Sequence, residues 1–337
     1  MPDANPQGRL GRVELHTHLE GSLTPARLVE LCRRHDQPGL PLACLAPDGR
    51  SYRFEGFHGF LQLFRRATSV VRTPRDFHDL ALDLGDQLAA DQVGYAEVTV
   101  SYGVMLRRGI DPVAVQEALA EAAAEVAETG GPVMRWIPDA VRQWGPDEAA
   151  RAAEAALTCG RRLGVVGFGL GGDEVAGPAA WFADLFAQVR AAGLGITIHA
   201  GEVPAMGEAA LRSVRDAVEA CGAMRLGHAT AAAADPGLMA FLAARGVFIE
   251  ACPRSNVQTG ALPDLAAHPL RAFLDAGLGC CLNTDDRGFF GLDLEGEYAA
   301  AGAVLGLGPD EAAAMHAAAR AAAFDDPGRG GSSALSG

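Results

Sequence analysis

The chain has 337 residues, 49% hydrophobic and 21% charged, which suits one large soluble domain or two ordinary ones. Its net charge is −14, all 28 basic residues are arginine, and no arginine cluster of the kind that nucleic acids or anionic membrane surfaces require is present. The absence of lysine excludes a P-loop lysine, a Schiff-base anchor and a carbamylated lysine bridging two metals, while the charge balance leaves a neutral or weakly charged small molecule as the expected partner.

From the start of the chain, MPDANPQGRL lacks the apolar core of a signal peptide, and no apolar stretch reaches 18 residues. The first short apolar run lies at 13–18. Seven more follow at 94–101, 133–140, 165–172, 195–201, 224–230, 247–253 and 279–286. Between them, Ala/Arg/Glu-rich stretches with helical spacing occur at 112–128, 147–163, 181–192 and 236–245. Eight alternations of buried run and amphipathic helix predict a closed (β/α)8 TIM barrel rather than an open sheet. The gap between the first two runs is long, with an insertion at about 24–90. It holds helical spacing at 24–35, a Pro/Gly-rich loop at 37–50 and the aromatic segment FEGFHGFLQLF at 54–64. Such an insertion is expected at the catalytic face, as a lid over the site or as a buttress beside the barrel. The barrel domain is expected over 1–324, and the low-complexity end at 325–337 reads as disordered. Seven scattered cysteines without a C-x-x-C pair read as buried reduced thiols, in keeping with a cytoplasmic setting.

The C-terminal ends of these runs carry the chemistry. The first ends in His16-Thr17-His18, the fifth in His199-Ala200-Gly201-Glu202, the sixth in Gly227-His228 and the eighth in Asp285-Asp286. Residues two apart on a strand share a face, so His16 and His18 can both point toward the barrel axis. Barrel enzymes keep their catalysts at these strand ends. Taken singly, each feature reads as structure: a surface H-x-H pair, a satisfied core histidine, an Asp-Asp turn. Together, three histidines and a carboxylate from three strands suit one zinc ion with a position open for water. The missing lysine favours one metal over two.

The motifs ELHTHLEGSL (14–23), GFGLGGDE (167–174), HAGE (199–202), RLGHAT (225–230), CPRSNVQTG (252–260) and LNTDD (282–286) occur in that order. With them the chain resembles the adenosine deaminase-like branch of the amidohydrolases. The resemblance implies a barrel holding one Zn2+ per chain on His16, His18, His199 and Asp285, and hydrolytic deamination of a 6-aminopurine. Zinc lowers the pKa of a bound water to about 7, which gives a nucleophile at neutral pH. Attack at C6 drives charge onto ring N1, and Glu202 matches the family's acid that delivers a proton there. By the same resemblance, His228 stabilises the attacking hydroxide and Asp285 orients it. Asp286 hydrogen-bonds purine N7, Gly172 offers its N–H to ring N3, and His18 and Glu20 lie against the substrate. The cytidine-type zinc deaminases are excluded, because no second cysteine follows Cys252-Pro253 at the required spacing.

Departures from the family pattern bear on the substrate. Glu20 stands in HTHLEG where adenosine-specific members usually carry aspartate, as in adenine-type and some modified-nucleoside members. GFGLGGDE and RWIPD look like the branch acting on 6-aminodeoxyfutalosine, GHAT replaces the more usual GHG, and Arg287 follows the Asp pair where proline is common. The leading expectation is adenosine or a closely related 6-aminopurine nucleoside. The alternatives are adenine, 6-aminodeoxyfutalosine and, outside enzymes, a catalytically dead nucleoside-binding relative. Arg287 is expected either to face the cavity and favour an anionic group on the substrate, or to turn outward and pair with Asp293 or Glu295.

Overall fold

The computed structural model describes residues 11–325. Eight strands form one parallel sheet in sequential order: β1 (Arg12–His18), β2 (Val93–Val100), β3 (Val133–Val141), β4 (Gly167–Gly171), β5 (Gly195–Ala200), β6 (Arg225–His228), β7 (Phe248–Ala251) and β8 (Cys280–Leu282). A parallel bridge between Thr17 and Asp285 joins the last strand to the first. There the His18 amide donates to the Asp285 carbonyl at 3.0 Å, and the Asp285 amide donates to the His16 carbonyl at 3.1 Å. Closing the (β/α)8 barrel therefore also carries Asp285 up to His16 and His18.

All eight expected runs became strands, and the last is much shorter than its apolar run. Asn283 interrupts it, because its side-chain Oδ1 accepts the Leu15 and His16 amides at 2.9 and 3.1 Å. The barrel interior is packed rather than open, as short buried strands require. Gly167 and Gly195 pair in register, and a Cβ at Gly167 would come within 2.7 Å of the Phe324 ring that plugs the floor. The fully buried Arg225 guanidinium lies 3.6 Å from the centre of that ring and bridges Glu97 and Glu250, each at 2.6 Å.

The insertion is helical: α1 (Pro25–Arg34), α2 (Leu40–Cys44), α3 (Gly56–Ala67) and α4 (Pro74–Ala90). Thr24 caps α1 by accepting the Arg27 amide, and Thr73 with Asp76 forms a capping box at the start of α4. Helix α2 occupies part of the stretch read as loop, with Pro41 in its first turn and Cys44 buried. Phe60 and Phe64 pack on Phe290 and Phe289 with ring centroids 4.9 and 5.1 Å apart, while Tyr52 stacks on Phe289. The insertion thus rests on the short helix Arg287–Phe290 that follows Asp286. Of the end expected to be disordered, only Asp325 falls within the described residues. All seven cysteines are free and buried, and among the described residues no helix is long and apolar enough to cross a membrane.

Candidate active site

Four imidazoles and a carboxylate converge at the C-terminal mouth of the barrel. His16, His199, His228 and Asp285 each present one ligand atom, all within 4.8 Å of one another. His18 joins them, its Nε2 lying 3.2 Å from His199 Nε2 and 3.2 Å from Asp285 Oδ1. His16 Nε2, 3.5 Å from the same Oδ1, is buried and has no hydrogen-bond partner. The five groups differ in what their other atoms do. Asn256 Nδ2 meets His228 Nδ1 at 3.1 Å, which leaves Nε2 facing Glu202 at 4.0 Å. In the tautomer that accepts the Asn256 amide, His228 Nε2 carries the proton and donates a hydrogen bond instead of ligating. The remaining three histidines and Asp285 fit a metal.

Residues that the sequence reading left without a role hold this cluster in place. Glu250 Oε2 takes His16 Nδ1 at 2.7 Å and is itself held by Thr197 and Arg225, so Nε2 is left to face the cluster. Ser255 donates to Asp285 Oδ2 at 2.6 Å. Glu174 accepts the backbone amides of Gly201 and Glu202 at 2.7 and 3.0 Å, which fixes the turn carrying Glu202. His228, Ala229 and Asp285 hold left-handed backbone, with φ of 63°, 52° and 61°. Such conformations in residues with a Cβ are costly and concentrate at functional sites. Ala229 is the position where a glycine is usual in the motif.

Electrostatics follow from this geometry. Burial opposes charge on His16 and His18, yet the Asp285 carboxylate beside both, and Glu250 for His16, raise them to about 10 and about 9. Burial would raise Asp285, but the same two imidazoles reverse that and hold its carboxyl well below the usual range. A buried site that draws protons onto two imidazoles is arranged for a cation, and a metal would displace those protons. Glu202 moves the opposite way. Burial, then the charges of Asp285 and Glu174, push it up to about 8, the direction that suits a proton donor.

The other expected contacts lie nearby, with one exception. Asp286 is buried with Oδ1 free, and any Cβ at Gly21 would strike its carboxylate. Burial, reinforced by Asp285, raises it to about 7. Gly172 has a φ of 100°, and a Cβ there would collide with the Gln143 side chain, so both backbone and space require glycine. Glu20 is 5% exposed. Arg287 is the exception. It is 2% exposed, and its guanidinium meets Asp91 and Glu14, the latter at 3.5 Å. It therefore neither faces the cavity nor pairs with Asp293 or Glu295. The left-handed turn at Asp285 ends strand alternation, and the helix Arg287–Phe290 directs the side chain elsewhere. Arg287→Ala would strand two buried carboxylates and should destabilise the fold by about 3–5 kcal/mol. Denaturant unfolding checks this, and the preference between anionic and neutral substrates should not change. At the opposite end of the barrel, a cleft of about 560 Å³ is lined by Arg12, Tyr95, His316 and Arg320. Arg12 there already donates to the Asp91 carbonyl, and His316 Nδ1 accepts the Val13 amide.

Residues 11–331 match the family described as adenosine deaminase. An aminodeoxyfutalosine deaminase of Acidothermus cellulolyticus is 36% identical over 300 residues, 88% of this chain and 83% of that protein. An adenine deaminase of Rhizobium johnstonii is 37% identical over 317 residues, 94% of this chain and 95% of that protein. Among solved structures, an amidohydrolase of Burkholderia ambifaria with bound zinc is similar at a TM-score of 0.81 and 25% identity, over 96% of this chain and 90% of that one.

Proposed function

The chain belongs to the adenosine deaminase family of hydrolytic deaminases, and from that premise we propose that it replaces the exocyclic amine of a 6-aminopurine with oxygen. Water adds at C6, the C6–N bond breaks, and ammonia leaves. The observation that carries this reading is geometric: Glu202, its backbone fixed by Glu174, stands with its carboxyl 4.0 Å from His228 Nε2 beside a histidine–aspartate cluster suited to a cation. One zinc ion per chain would be held by His16, His18, His199 and Asp285. Three imidazoles and a carboxylate are a donor set that zinc favours, and a similar structure carries zinc. When bound, zinc makes water nucleophilic at neutral pH.

The chain's own residues supply the rest. Glu202 delivers its proton to ring N1 as electrons move onto it from C6. The His228 Nε2–H faces the reacting centre and stabilises negative charge there. Asp286 hydrogen-bonds ring N7, and the Gly172 N–H meets ring N3. Relatives named for adenine and for aminodeoxyfutalosine, together with Glu20 in HTHLEG, move the substrate away from adenosine itself. The favoured substrates are adenine and adenosine-like nucleosides modified at the 5′ position. Measuring kcat/KM for adenine, adenosine and an adenosine bearing a 5′-linked aryl carboxylate tests this choice. One of the first or third should exceed adenosine by about tenfold or more. A tenfold lead for adenosine would overturn the choice.

A further inference from the structure

Asp139 is a buried acid that the proposed reaction does not use. It stands near the end of β3, 5% exposed, and its Oδ1 has no hydrogen-bond partner. Two glycines of β4 make room for it. Asp139 pairs in register with Gly169, where a Cβ would come within 3.3 Å of the Asp139 Cβ. A Cβ on Gly171 would lie 3.2 Å from Asp139 Oδ2 and 3.6 Å from His199 Nδ1. The carboxylate and the histidine ring therefore face one another across Gly171, at the cluster.

Glu20, just past β1, repeats the pattern. It is 5% exposed, its Oε1 accepts the Ser101 amide at 3.1 Å, and its Oε2 has no partner. Ser101 directly follows the Val100–Pro138 pair of β2 and β3, so it lies between the two acids along the rim. Burial raises Asp139, with the His18 charge and the Ser101 side chain opposing and the Glu20 charge adding to the rise. A buried carboxyl oxygen without a donor is costly, and that cost is relieved where a ligand supplies the donor. Arg108, whose charge reaches Glu20, donates to the Thr68 and Arg65 carbonyls and is not free to receive an anion.

We propose that Asp139, with Glu20, forms an acceptor rim that takes hydroxyl or N–H donors on the substrate's sugar edge and rejects a phosphate attached there. The inference rests on the 6-aminopurine reading: with Gly172 at ring N3, the adjacent Gly171 and Asp139 lie at the N3/N9 edge, where an appendage begins. Asp139 is a specificity residue in this account and takes no part in the proton transfers.

The test is kcat/KM for adenine, adenosine, 5′-deoxyadenosine and AMP with wild type, Asp139→Asn and Asp139→Ala, alongside a thermal melt of each. Asparagine keeps an acceptor oxygen and removes the charge. Asp139→Asn should therefore raise kcat/KM for AMP about tenfold relative to that for the best neutral substrate. Asp139→Ala should lower kcat/KM for the best neutral substrate about tenfold or more, chiefly through KM. Equal changes for every compound, a loss confined to kcat, or a wild type that prefers AMP would overturn the inference and leave the deaminase reading standing. A wild type inert toward every 6-aminopurine would overturn both.

Discussion

Replacing Glu202 with glutamine is expected to lower kcat by about 10²–10⁴-fold while the metal content stays unchanged. Burial and the charges of Asp285 and Glu174 raise the affinity of its carboxyl for a proton, and Glu174 fixes its backbone through two amides. Glutamine reproduces the size and one acceptor but carries no acidic proton, so N1 would have to draw its proton from bulk water. Glu202 lies outside the proposed ligand set, and its amide contacts to Glu174 survive the change. Steady-state kinetics together with metal analysis separate the proton-transfer role from a structural one. A variant within tenfold of wild type would assign the protonation of N1 to another group.

An equally large loss is expected from His199→Ala, through the metal rather than the acid. His199 ends β5 with its Nε2 3.2 Å from His18 Nε2, at the centre of the cluster. Its removal leaves two imidazoles and a carboxylate, and a donor set reduced to three holds zinc more weakly. Metal content should fall well below one equivalent and activity should become undetectable. Circular dichroism should stay that of the wild type, because Arg225, Phe324 and the rest of the packed interior lie below the site. Chelation of the wild type should give the same loss, and added zinc should reverse it. Two equivalents of bound metal, or full activity after chelation, would contradict a single-metal site.

The barrel was legible because each strand is a short buried run bounded by helical spacing, and that pattern survives errors in every boundary. The cluster was legible because histidines and acids stood at strand ends, which a closed parallel barrel brings to one mouth. What the sequence hid depended on side-chain direction. Glu250, an acid inside an otherwise apolar run, could have been singled out as a buried partner, and it orients His16. Ser255 and Asn256 lie in a motif that was noted, but their targets, Asp285 and His228, come from other strands and meet them only in the closed barrel. Arg287 illustrates the opposite error. Projecting strand direction past Asp286 puts it in the mouth, whereas the positive φ at Asp285 turns the chain and sends the guanidinium to Asp91 and Glu14. Asn283 shortened β8 in the same way, by substituting a side-chain acceptor for a strand neighbour.

The measurement closest to the central claim is a paired product assay on zinc-loaded protein given adenine or an adenosine-like nucleoside. Ammonia is quantified together with the 6-oxopurine. Equal amounts of the two are expected, formed by wild type and greatly reduced in Glu202→Gln carrying the same metal. Protein holding one equivalent of zinc that leaves every such 6-aminopurine unchanged, or that releases ammonia without forming the 6-oxopurine, would contradict it.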